Sequence, residues 1–239
     1  MEPRDQRAEL RGAVYRNDIP ALLAELNQEA WPQHALQLIG DGVRIALQAR
    51  ADGVEEAAER CVAALRERDW DGDAELATSI DAFFGSGATP LLQPLPVDLD
   101  ELAGVLEGDV LNGGGRIDLR TGEVWPQVAI EYAEEVGQFD EDELEDDERW
   151  LWVECEGSHA AYADMEQFIE GIEDPDRADR MAIAIQGRGA FRRFKDVLSR
   201  WPELADQWYA FEEDSQRGRA RAWLADEGYE AVPPPSSEG

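Results

Sequence analysis

The sequence predicts an α+β fold: an all-helical N-terminal domain over residues 1–86, then a domain over 97–230 with a small, mostly antiparallel sheet covered by helices. Three observations predict it. Residues 1–86 carry apolar side chains at helical spacing throughout. A stretch rich in proline and glycine, from Gly85 to Pro96, then interrupts the chain. Beyond it, an alternating segment turning at Thr121-Gly122 and an apolar run, Trp150 to Cys155, stand among further helical stripes.

Each element has its own signal. Asp18 and Pro20 open a helix with Leu22, Leu23 and Leu26. The next carries Ala35, Leu38, Ile39 and Ala46 and is weakened by Gly40 and Gly42. Val54, Ala58, Cys61, Val62 and Leu65 form a stripe, and Ala77, Ile80, Phe83 and Phe84 form another. Leu26, Trp31 and Ala35 recur as Leu65, Trp70 and Ala74, an offset of 39 residues, near the period of two-helix repeats. After the linker, Asp98 and Glu101 make a capping box, with Val97 stapled onto Leu102. Arg116 to Trp125 reads as a β-hairpin.

Residues 131–148 hold eleven acids and predict a mobile acidic loop. They lack EF-hand spacing and its central glycine, so no metal site is expected there. Trp150 to Cys155 is apolar on both faces, which predicts a central, covered strand with Trp152 in the core. Ser158 caps a helix bearing Tyr162, Met165, Phe168, Ile169 and Ile172, and Asp174-Pro175 starts the next. Pro202 restarts a long helix with Leu204, Trp208, Phe211, Trp223 and Leu224. Residues 231–239 read as a disordered tail.

Composition bounds the function. The 239 residues are 43% apolar, enough for a core, and carry a net charge of −32. So acidic a chain repels nucleic-acid backbones and anionic membranes at long range and attracts basic partners. No apolar run approaches 18 residues, and Met1 to Arg7 offers no apolar signal region, so neither a membrane span nor a signal peptide is expected. A cytoplasmic location follows, with Cys61 and Cys155 as reduced, buried thiols. The two cysteines and two histidines stand at no ligand spacing, so no metal and no cofactor is expected. Ser158 and His159 are adjacent, so their side chains diverge and make no nucleophile–base pair. No phosphate-loop, nucleophile-elbow or dinucleotide motif is present, and no catalytic residue is assigned.

The most informative stretch is Ala182 to Trp201. After Gly189, the residues Ala190, Phe191, Phe194, Val197, Leu198 and Trp201 make one apolar face. We expect Phe191, Phe194 and Trp201, like Trp152 and Phe168, in the core. Asp196 can pair with Arg193 or Arg200. Arg188, Arg192 and Lys195, the only lysine, form a separate basic stripe. Two readings are open. Gly187, Arg188 and Gly189, with Arg192 and Lys195, can build an anion site at a helix N-terminus. Alternatively the stripe meets the protein's own carboxylates, with 131–148 as a self-masking lid. Eight basic and six acidic residues lie between Gly187 and Arg221, so this segment is net positive in an acidic chain. We favour neutralisation from within.

The second half resembles a bacterial family of unknown function, uncharacterised protein family 0158. The resemblance rests on Asp98-Leu-Asp-Glu-Leu102, on Ile117-Asp-Leu-Arg-Thr-Gly-Glu-Val124, and on Ser158 with Tyr162, Asp164-Met-Glu166 and Phe168-Ile169. It is strongest in Ala184-Ile-Gln-Gly-Arg-Gly-Ala-Phe-Arg-Arg-Phe-Lys-Asp196, and Trp208, Phe211 and Trp223-Leu224 complete it. It covers roughly residues 92–230. It implies an established domain and transfers no activity, ligand or catalytic residue. The expected function is a non-catalytic cytoplasmic interaction or regulatory protein with a protein partner. The alternatives are a binder of phosphate-bearing ligands or nucleic acid through the basic stripe, and an enzyme of unfamiliar type.

Overall fold

A computed structural model describes residues 3–85, 91–108, 113–139, 141–155, 157 and 159–233. The first five elements are helices: α1 (Pro3–Arg16), α2 (Ile19–Leu26), α3 (Leu36–Gln48), α4 (Glu55–Arg68) and α5 (Asp73–Phe83). Asp18 caps α2, its side chain accepting from the Ala21 N–H at 3.2 Å. Leu10, Leu22, Leu26, Ile39, Leu65, Leu76 and Ile80 close a core of their own. Gly40 lowers helix propensity but has a use: a Cβ there would lie 2.4 Å from Leu76 Cδ2, so the glycine lets α3 and α5 touch. Trp31 and Trp70, from the 39-residue echo, both lie in helix–helix connections. Each stands beneath an arginine, Arg60 at 3.8 Å and Arg68 at 4.4 Å from the ring centroid.

The rest is α+β. In order come β1 (Gln93–Leu95), α6 (Leu99–Leu106), β2 (Gly115–Asp118), β3 (Val124–Pro126), α7 (Gln127–Glu135), α8 (Glu141–Leu144) and β4 (Trp150–Val153). Then follow α9 (His159–Glu170), α10 (Pro175–Ala184), α11 (Ala190–Leu198), α12 (Pro202–Asp226) and β5 (Tyr229–Ala231). The three-stranded sheet is antiparallel, in the order β3-β2-β4. Asp98 caps α6 by accepting from the N–H groups of Asp100 and Glu101. One sheet face, with Ile117, Val124 and Val153, packs with α6 and the C-terminal half of α12. The other carries Trp125 and Trp150, packed with Ile130, Ala133, Phe139 and Leu144. A third core joins α9, α10, α11 and the N-terminal half of α12 through Phe168, Met181, Phe194, Trp208 and Phe211.

Three expectations are corrected. Residues 131–148 are not a loop throughout: α7 runs to Glu135 and α8 follows. Phe139 and Leu144 are buried, and Trp150 Nε1 donates to the Glu143 carbonyl at 2.8 Å. The acids mask a sparse apolar pattern that is enough to dock both helices. Trp150 to Val153 is an edge strand, and the central, wholly buried strand is β2. Trp152 is therefore no core residue. It is 53% exposed, with the Arg116 guanidinium 3.8 Å from its ring centroid. Trp150 shares its face, but Phe139 and Leu144 cover Trp150 alone. Finally, the linker and tail meet. β1 pairs parallel with β5, Ala231 is buried, and the Val232 N–H donates to the Leu95 carbonyl at 3.0 Å. Residues 86–90 of the linker, 234–239 of the tail and the capping Ser158 lie outside the described residues.

α12 holds the two halves together. Gly218 at its middle packs on the Asp71–Gly72 turn so closely that a Cβ would lie 2.2 Å from the Asp71 carbonyl oxygen. Charged groups flank this contact. Arg221 Nε donates to Gln37 Oε1 at 2.8 Å and its Nη2 to Asp41 Oδ1 at 2.7 Å, while Arg217 takes Asp41 Oδ2 at 2.8 Å and Asp100 at 2.6 Å. Asp214 accepts from the Gln37 N–H at 2.9 Å and from Arg68, which also grips Asp73. On the opposite side Arg219 binds Asp164 at 2.8 Å and pairs with Glu107.

Candidate functional site

α11 and the turn before it form the candidate site. α10 ends at Ala184, and the chain reverses through Gly187 and Gly189, both with φ near the left-handed value, +76° and +75°. Gly189 is the N-cap of α11 and offers no side-chain cap. Arg193 was read from spacing as a partner of Asp196. Instead its guanidinium folds back over the turn. It donates to the carbonyls of Ala184 at 2.9 Å and Gln186 at 2.5 Å, and to that of Arg188. Ala184 closes α10 and the other two lie in the turn beyond its cap, so one cation satisfies carbonyls that the helix end and the turn leave open. Arg193 thus fixes the angle between α10 and α11.

The buried ridge of α11 steps by four: Ala190, Phe194, Leu198. Phe194 is 1% exposed and meets Trp208 edge to face, with centroids 4.6 Å apart. Phe168 also lies in this core, and Trp201 is half-buried against it with Arg177 over its ring. Phe191 departs from expectation. It is 38% exposed. It stands about 100° around the helix from Ala190, in the first turn, where it falls beside the ridge rather than on it. It joins Arg188, Arg192 and Lys195, all exposed. Helical spacing sets Arg192 and Lys195 on the same side of α11 as the exposed Phe191.

The lid over this stripe is not seen. Among the described residues, two carboxylates of 131–148 pair away from it, Asp146 with Arg120 at 3.5 Å and Glu143 with Arg149 at 3.9 Å. The nearest acids to the stripe are local. Arg192 Nε lies 3.9 Å from Asp196 Oδ2. Burial raises the pKa of the Glu212 carboxyl, and Lys195 pulls it the other way. Three further arginines of the positive segment are spent inward: Arg217, Arg219 and Arg221 serve Asp41, Asp100, Asp164 and Glu107.

Sequence reading missed these inward pairs. Their signal was Asp214, Arg217 and Arg221 on one side of a helix, around a glycine that costs helix stability unless something approaches closely. It also missed a cleft of about 640 Å³ between α3, α5, the end of α12 and β1–β5. Arg44 and Arg221 line the cleft and are already engaged, Arg44 by the Ala231 carbonyl at 2.6 Å and Glu230 at 2.8 Å.

A family model, described as an uncharacterised protein family (UPF0158), matches residues 116–235, half of the chain. The chain belongs to that family. A UPF0158 protein of Pseudomonas aeruginosa, PA5073, is 30% identical over 135 residues, which cover 56% of this chain and 85% of the relative. No solved structure matches. The UPF0158 match takes in β2 through β5, and hence the whole α11 face, and leaves α1–α5 outside.

Proposed function

We propose that the chain is a non-catalytic, cytoplasmic interaction protein that docks an acidic segment of a partner protein on the α11 face. The observation that supports this most is Phe191, exposed on α11 beside Arg192 and Lys195, with the exposed Arg188 in the turn before it. An exposed apolar ring next to cations suits a partner that carries carboxylates beside an apolar residue. Nucleic acid is disfavoured on charge. The net charge of −32 opposes any anion at long range, and a polyphosphate, charged at every residue, meets that repulsion more strongly than a peptide with a few carboxylates around an apolar side chain.

A titration tests the reading. A labelled peptide alternating glutamate and tryptophan, and a single-stranded oligonucleotide of similar length, are added to the full chain at low salt. The peptide should bind, and R188Q/R192Q/K195Q should weaken it at least tenfold with unchanged melting. Oligonucleotide binding that the triple variant abolishes, with no peptide binding, would replace this reading by the Gly187–Gly189 anion site.

A further inference from the structure

α7 presents a second face, unrelated to α11. Its inner side, Ile130 and Ala133, is 2% and 1% exposed. Its outer side carries Val128, Tyr132 and the capping Val136, exposed by 70%, 67% and 56%. The spacing of four places all three in one row about 12 Å long. Single exposed apolar side chains are ordinary, but three in register make a continuous patch. At the start of the row lies a groove of about 410 Å³, lined by Val128 with Val105, Val124 and Pro126. Gly104 forms part of its wall, and space stays open where a Cβ would stand, so a partner can approach the α6 backbone closely.

Charge selects the occupant. Glu131, Glu134 and Glu135 flank the row and are exposed, and Glu101 sits on the groove rim. A second copy of this chain would set these acids against their own equivalents. Anionic lipid and nucleic acid are excluded on the same ground. We propose that α7 and the adjoining groove dock a basic amphipathic helix of another protein. Its apolar side chains, spaced by three and four, would lie along Val128, Tyr132 and Val136, and lysines or arginines on either side would meet the glutamates.

The probe is a labelled 18-residue helical peptide with one leucine stripe flanked by lysines, compared with a scrambled peptide of equal charge. It is titrated onto the full chain at physiological salt. The stripe peptide should bind at least tenfold tighter than the scramble. V128S/Y132S/V136S should remove that advantage while circular dichroism and melting stay unchanged. A photo-crosslinking group on the peptide should label α7 or α6 of the wild-type chain, which keeps the test decisive if the triple variant folds poorly. Equal binding of the scramble, labelling elsewhere, or a wild-type dimer that the triple variant dissolves would each overturn the proposal.

Discussion

Phe191 and Phe194 are three positions apart, and both fit the same apolar stripe in sequence. Their environments differ because α11 rests on α12 along a single ridge, and only Phe194 lies on it. Phe194→Ala should therefore destabilise the chain by about 3–5 kcal/mol, as emptied aromatic sites do. Phe191→Ala should cost less than about 1 kcal/mol. Urea denaturation of the two variants separates them, and equal losses would return Phe191 to the core. Periodicity showed that α11 has an apolar face; it did not show how wide a strip of that face would be covered. The same blindness placed Trp152 inside: its apolar neighbours in the strand are plain in the sequence, but the edge position of β4 is not. Arg193 was illegible for another reason. Its partners are backbone carbonyls of the preceding turn, and residue spacing on a helix says nothing of them.

Among the elements, α12 shows most clearly what a linear reading loses. Its apolar residues and its start at Pro202 were legible. The ion pairs that tie it to α3, α4 and α6 join residues more than a hundred positions apart, so the local pattern around Gly218 hints that partners exist but does not say which. Asp41 is the pivot of that seam. Burial alone would raise its pKa, but Arg221, Arg217 and Arg44 outweigh burial and hold it at about 2, below the ordinary 3.8. A depressed carboxylate contributes stability above its unfolded-state pKa and loses it as pH falls toward the folded one. Asp41 should thus contribute about 2 kcal/mol at neutral pH, lost between about pH 5 and 2. Asp41→Asn should cost about 3–5 kcal/mol at pH 7, because Arg217 and Arg221 are left buried without their shared counter-charge. Its stability should also fall less steeply on acidification than that of wild type. Denaturation midpoints measured from pH 7 to pH 3 check both, and parallel pH profiles would show that the seam does not depend on Asp41. α7 and α8 were read as solvated charge because the acids outnumber the apolar residues that dock them.

At the scale of the whole molecule, the α+β class and the order of the other elements were legible from Pro/Gly punctuation and changes of period, while β1, β5, α7 and α8 were not. We propose that residues 1–86 and 97–230 stand as two domains. Their hydrophobic cores are distinct clusters, and the contact between them combines the polar, glycine-spaced seam along α12 with an aromatic one, in which Trp70 and His34 meet Phe211. No helix among the described residues is long and apolar enough to cross a membrane. The inward pairs on α12 absorb three of the arginines of the positive segment and Arg193 folds over its own turn, so the exposed cations that remain are Arg188, Arg192, Lys195 and Arg200, the first three near Phe191. Hydrogen exchange over the full chain, with and without the glutamate–tryptophan peptide, tests most directly whether the α11 face is where the protein acts. Slowed exchange confined to residues 187–198, with α3–α5 and α12 unchanged, is the predicted result. Unchanged exchange in 187–198, or protection centred instead on the cleft beside Arg44 and Tyr229, would contradict it.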